Sequence, residues 1–362
     1  MRYTFHTLPL AELVVPASKA AETIVRLDER LARSAIAPGL KARGDYADAV
    51  ASLWLDGELV HMEDLVFHDA RMDLRSPTHE LTLAHLILRT RRDIAAQPPD
   101  WPFSEAGLRR LRGRQGQIEE ATRVETAVQQ PEPTAAPDDA FEAELRAFDA
   151  LLERTGKVVQ EAWSETRSPL PKDPLVYDLD WNEDERLSEW LDVVNGCRVL
   201  PPVLAAAVVL DAWQTLSVSE HSPWLGRLLA AAYLVREGTA RHHLPAFCTG
   251  LKAVPRERRH ARSRTVRLLA ILEGLQLSAE FGLKEHDRLI LARAGLERRF
   301  ESSRENSRLP QLADFVLSRP MVSTRMVARE LSITPQGALI LIKALNLREL
   351  TGRGRFRAWG IL

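Results

Sequence analysis

Along most of the chain apolar residues return every third or fourth position, the pattern of helices with one buried face. Ala20, Ile24, Leu27 and Leu31 predict a helix over 16–33, with Pro16 acceptable in its first turn. A shorter helix is predicted over 45–55, closed by Asp56-Gly57. Ser76-Pro77 reads as the cap and first helical residue of a third, on which Leu81, His85 and Leu88 share a face. Two breaks follow. One is Gln97-Pro-Pro-Asp-Trp-Pro102. The other is 129–137, whose prolines and small residues favour extended, solvated chain and make it the expected linker. Asp180-Trp-Asn-Glu183 has the form of a capping box and starts a helix through Val194. The runs 201–217 and 223–237 are strongly apolar and are predicted to hold the centre of the main core, while 255–281 and 284–303 are predicted as long amphipathic helices.

The last stretch, about 307–362, carries a denser code. Leu309 to Ser318 predicts a helix with Leu312, Phe315 and Val316 inward, stopped at Arg319-Pro320. Ser323 caps a second helix through Leu331, with Met326, Val327 and Leu331 buried, and Ser332-Ile333 makes a turn. Thr334 is the next cap and Pro335 the first helical residue of a helix to Leu345, on which Ala338, Leu341, Ile342 and Leu345 fall on one face. Small Ala328 stands where the two helices must approach. Two short strands, 347–350 and 356–361, then flank Thr351-Gly-Arg-Gly-Arg355. Together these predict a winged helix-turn-helix, which sets its second helix in the major groove of double-stranded DNA. The candidate DNA contacts are Ser323, Thr334, Gln336, Leu339, Ile340 and Lys343 on the helical part and Arg353, Arg355 and Arg357 on the wing. Arginines suit phosphates or the minor groove, and Gln336 and Lys343 can read base edges. Leu339 and Ile340, both expected to face outward, suit thymine methyl groups or another protein surface.

Composition supports a helical reading. Of 362 residues, 45% are apolar but only 6% aromatic, which favours helices over sheets and leaves room for two or three domains. The expected fold class is mainly α: a multi-helix bundle body with a C-terminal winged helix-turn-helix. Its expected parts are an N-terminal helical region 1–96, a loop and Pro-rich linker 97–137, a central helical domain 138–304 and the winged domain 307–362. A formal net charge of −1 hides an asymmetry: Glu119–Glu189 holds 19 acidic against 7 basic residues, and Arg304–Leu362 holds 10 basic against 4 acidic. An acidic body with a basic, anion-seeking end follows.

Candidate chemistry in the body is sparse. There is no Cys-x-x-Cys and no His-Glu-x-x-His, and His79, His85, His242 and His243 are not spaced as ligands of one ion, so no metal is expected. No Walker A, dinucleotide or nucleophile-elbow pattern occurs, so neither a cofactor nor a catalytic residue is expected. The acids at Asp178, Asp180, Glu183, Asp184 and Glu185 suit a helix N-terminus. The arginine-rich stretch 255–267 is either a solvated face paired with acids or a second phosphate-contacting surface. Cys197 and Cys248 cannot make a disulfide framework, and the apolar run 199–210 is too short for a membrane span, so a cytoplasmic protein is expected.

Three places resemble Fic-domain proteins, which transfer AMP or related groups to hydroxyl side chains. Ser52-Leu-Trp-Leu-Asp56-Gly57 is similar to that family's inhibitory-helix pattern, with Asp in place of Glu. His221-Ser-Pro-Trp-Leu-Gly-Arg-Leu-Leu229 is similar to its catalytic loop and following helix, and a winged helix is a common appendage there. The glycine-rich phosphate nest of that family is absent after His221, so the resemblance implies a body without transferase activity. Ser318-Arg-Pro-Met-Val-Ser323 and the end from Thr351 to Leu362 also resemble a bacterial family of unknown function with a helical domain and an appended helix-turn-helix. The expected role is a transcriptional regulator with double-stranded DNA as partner, a homodimer as a candidate assembly and no membrane contact. A Fic-like nucleotidyl transferase, or a catalytically dead relative serving protein interaction, is the alternative.

Overall fold

A computed structural model describes residues 3–4, 7–72, 76–113, 182–219, 222–300, 308–351 and 357–361. Residues 1–120 and 183–362 form one compact unit and 121–182 another, and the described helices and strands belong to the first. The proposed linker 129–137, His221, Arg353 and Arg355 lie outside the described residues.

Helix α1, Leu10–Arg33, starts earlier than predicted and contains Pro16, because Leu13 and Ala17 extend its buried face. Helix α2, Ala37–Asp56, also starts early and ends at Gly57, which takes the left-handed conformation (φ 93°) that glycine adopts without a Cβ penalty. After α3, Met62–Asp69, comes α4, His79–Ala96. The cap of α4 is Thr78, whose Oγ1 accepts from the Leu81 amide at 3.3 Å, and not Ser76 as expected. A short turn at Trp101–Phe103 follows, then helical residues 105–113, labelled α5.

The second half of the body runs through α6 (Glu183–Gly196), α7 (Pro202–Leu216), α8 (Pro223–Arg236), α9 (Phe247–Ala253), α10 (Arg256–Arg259) and α11 (Arg264–Phe300). The two helices expected over 255–281 and 284–303 are divided differently. The chain breaks at 260–263, where Arg267 donates to the carbonyls of Ala261 and Arg262 at 3.0 and 3.1 Å. It then runs unbroken through Gly282, where a Cβ would come within 2.5 Å of the Leu27 side chain, so that glycine admits α1 and does not end a helix.

As predicted, α7 and α8 are almost wholly buried, with Trp190, Trp213, Trp224 and Tyr233 around them. They approach closely because Gly226 faces Trp213, leaving 2.3 Å where a Cβ would stand. Helices α1 and α9 both pack on α11, so the N-terminal helices and the later ones share one contiguous apolar core rather than forming separate bodies.

The winged domain consists of α12 (Leu309–Leu317), β1 (Val322–Ser323), α13 (Thr324–Glu330), α14 (Pro335–Ala344), β2 (Arg348–Glu349) and β3 (Ala358–Gly360). The strands form an antiparallel sheet in the order β1-β3-β2, with Val322 opposite Trp359 and Arg348 opposite Gly360. Strand β1 was not predicted, since two residues are too few to show an alternating pattern.

Candidate nucleic-acid interface

Two side-chain caps set the helix-turn-helix. The Ser323 hydroxyl accepts from the Met326 amide and the Thr334 hydroxyl from the Gly337 amide, each at 3.2 Å. Ser332 and Asn346, both in the left-handed region (φ 50° and 48°), turn the chain after α13 and after α14. Ala338, Ile342 and Leu345 then point into the domain, and Thr334, Gln336, Ile340 and Lys343 point to solvent. Ile340 is 67% exposed, so an apolar side chain stands in the middle of a polar outward face.

Two expectations change. Leu339 is half-buried against the core instead of outward, so of the two only Ile340 faces solvent. Ser323 is spent on its cap and lies 3.8 Å from the Met72 sulfur of the body. On the wing, Arg357 pairs with Glu349 and lies over the Trp359 ring, 5.5 Å from its centroid.

The body grips this domain from behind. Arg43 of α2 donates to the carbonyls of Val316 (3.4 Å) and Arg319 at the end of α12, and its Nε donates to Glu285 of α11 at 3.0 Å. Arg319 in turn donates to the Tyr46 hydroxyl at 3.0 Å, and the Tyr46 hydroxyl donates to Asp69. Arg288 donates to the Ile361 carbonyl at 3.0 Å and Arg299 to that of Leu345. The contacts fall on α12 and the turn after it, on Ser323 of β1, on Arg329 of α13, which donates to the Ala70 carbonyl at 3.4 Å, and on the segments after α14 and β3, and Gln336, Ile340 and Lys343 stay exposed. Sequence reasoning missed this docking; its partners lie 46 to 276 positions apart, and no local pattern announces them.

The other sequence candidates are held in structural networks. His242 and His243 both turn Nδ1 to the Asp28 carboxylate, at 2.9 and 2.8 Å. Burial alone would raise the Asp28 carboxyl, but these bonds and the amides of His242 and Arg241 hold it well below the usual carboxylate range. His85 faces Asp69 at 3.3 Å. In the acidic cluster, Glu183 and Asp184 pair with Arg112 at 3.0 and 2.8 Å. Of the arginine-rich stretch, Arg258 pairs with Glu273 and Arg264 and Arg267 with fully buried Asp211. Among the described residues no group of three or more His, Cys, Asp or Glu could hold a metal ion, and no helix is long and apolar enough to cross a membrane.

The two body segments of the Fic resemblance meet. Buried Arg227 of α8 donates to Asp56 through both terminal nitrogens, at 3.0 and 2.5 Å. It also reaches the Ser52 hydroxyl (3.0 Å from Nη2, 3.3 Å from Nε) and the Ser52 carbonyl at 3.0 Å.

A helical body presenting the open helix of a capped helix-turn-helix defines the class as a helix-turn-helix protein, and comparison with known proteins agrees. Residues 309–362 match a family model described as an HTH DNA binding domain, and residues 175–301 match one described as a protein of unknown function (DUF1612). The chain is 47% identical over 381 residues to the uncharacterized protein y4cF of Sinorhizobium fredii, with 100% of both chains covered, and it belongs to the same family as that protein. The likeness to Fic-domain proteins is not carried by these matches.

Proposed function

We propose that this chain is a cytoplasmic transcriptional regulator that reads duplex DNA through α14 and its wing. The reading is supported above all by the open face of α14, where Thr334, Gln336, Ile340 and Lys343 are exposed although the body holds the domain at several other points. A basic end on an acidic chain brings such a face to phosphates, Gln336 can pair with an adenine edge, and Ile340 can lie on a thymine methyl group. Arg353, Arg355 and Arg357 are the proposed backbone or minor-groove contacts of the wing. Filter retention of genomic duplex fragments by the full chain, across a salt series, tests this. Retention falling steeply with salt is expected, since each cation that neutralises a phosphate releases about one counterion. No retention of any duplex at low salt overturns it.

A second reading has one observation in its favour. The contact of Arg227 with Ser52 and Asp56 joins the two body segments on which the Fic resemblance rests, as common ancestry would. In this reading the body is a relative that has lost catalysis: Arg227 is buried and turns its guanidinium to Ser52 and Asp56 of α2 instead of to a phosphate. Incubation with labelled ATP and cell extract is expected to leave every protein unlabelled. Label transfer that is lost in His221→Ala would restore the enzyme reading.

A further inference from the structure

A cavity of about 410 Å³ opens where α1, α2, α9 and α11 meet Pro320, the residue between α12 and β1. That volume lies in the range that encloses small molecules. Leu27, Leu31, Leu40, Met62 and Phe281 make its wall largely apolar. Gly44 of α2 also lines it, and a Cβ there would meet nothing closer than the Ala246 methyl at 3.9 Å.

The polar part of the lining is unbalanced. Glu285 takes up Arg43 (3.0 Å) and Arg288 (2.7 and 2.5 Å), so one carboxylate faces two guanidiniums. Lys41 is exposed on the same lining and has no ion-pair partner among the described residues. His243 also lines the cavity, with its Nδ1 fixed on Asp28. Two guanidiniums therefore share the one carboxylate of Glu285, and Lys41 lines the same apolar hollow, so the matching ligand has an apolar body and one negative charge.

We propose that this cavity binds a small amphiphilic carboxylate, with its apolar part among the leucines and Phe281 and its head on Lys41 and the Arg43 cluster. Arg43 is also the residue that holds the last carbonyls of α12. A carboxylate on Arg43 competes with those carbonyls, so filling the cavity changes the body's grip on the winged domain. This last step rests on the DNA-binding reading; the cavity's ligand does not.

Calorimetry of the full chain with sodium decanoate and with decanol tests the site, and DNA retention with and without decanoate tests the link. Decanoate is expected to saturate one site per chain and to change retention severalfold. Lys41→Met should weaken decanoate at least about fivefold, a lost ion pair beside apolar surface, and leave decanol unchanged. Gly44→Met, which fills the hollow from α2, should weaken both at least about tenfold. Ala47→Leu fills the same lining should the first variant fail to fold. No decanoate binding, unchanged binding in the filled variants, or decanol binding as tightly as decanoate overturns the assignment. Saturation with unchanged retention overturns the link through Arg43. If no DNA is retained in either state, the DNA-binding reading fails and calorimetry still decides the cavity.

Discussion

Arg227 of α8 and Asp56 at the end of α2 are joined by a two-pronged ion pair, 3.0 and 2.5 Å long, in which the arginine is buried and the acid only partly so. The asymmetry sets what removal of each partner costs. Asp56→Ala strands a buried guanidinium and is expected to destabilise the fold by about 3 kcal/mol. Arg227→Met leaves a carboxylate that water can reach, and should cost less. The double variant should recover part of the Asp56→Ala loss. Urea unfolding of the three variants checks the order; equal losses for both single variants would contradict it.

The Asp28 carboxylate makes stability depend on acid. Its folded pKa is depressed, so its contribution is fully present above the usual range of an unfolded aspartate, near pH 4, and is lost as pH falls below it toward the folded value. Asp28→Asn should therefore lower the urea midpoint at pH 7, and the gap to the unaltered chain should narrow steadily as pH falls below about 5. A gap that does not vary with pH argues against a charged Asp28 beneath the two histidines.

Cys197 and Cys248 should behave as inert core residues. Burial pushes both thiols up to about 12, so very little thiolate exists at pH 8. Iodoacetamide followed by mass spectrometry should leave the folded chain unmodified at pH 8 and label both cysteines in urea. Rapid labelling of either thiol in the folded chain would show that its site is open.

On α14, Lys343 and Gln336 should fail in different ways. Lys343 can also meet a phosphate, and in that role Lys343→Ala is expected to weaken all duplexes alike and to reduce the salt slope by about one. Gln336→Ala should erase about 1–3 kcal/mol of preference for one site and leave the slope alone. Ile340→Ser separates DNA from protein as the partner: loss of a protein complex with unchanged DNA retention would make this face a protein-docking surface.

Much of the C-terminal domain was legible because its signals are local. Ser323, Thr334 and Pro335 mark helix starts by their own chemistry, and helical spacing assigns Ala338 and Ile342 inward and Ile340 outward without reference to the rest of the chain. Leu339 could not be assigned that way, since it stands beside the buried face and only the packed domain decides its side. Apolar density likewise marked α7 and α8 as the core centre. The start of α1, the continuity of α11 and the cap of α4 were missed for one reason. Pro16, Gly282 and Ser76-Pro77 are local punctuation overruled by distant packing or by a neighbour with a better cap. The grip of Arg43 on α12 is longer-ranged still, and only the folded chain brings its partners together.

The order β1-β3-β2 has a consequence for how the domain is made. The middle strand, Ala358–Gly360, is the last of the three to be synthesised, and both earlier strands bond to it and not to each other. Until Ala358–Gly360 is in place, β1 and β2 therefore both carry unpaired edges. Closing the sheet therefore waits on the last of its three strands, whatever the helices between them have already done.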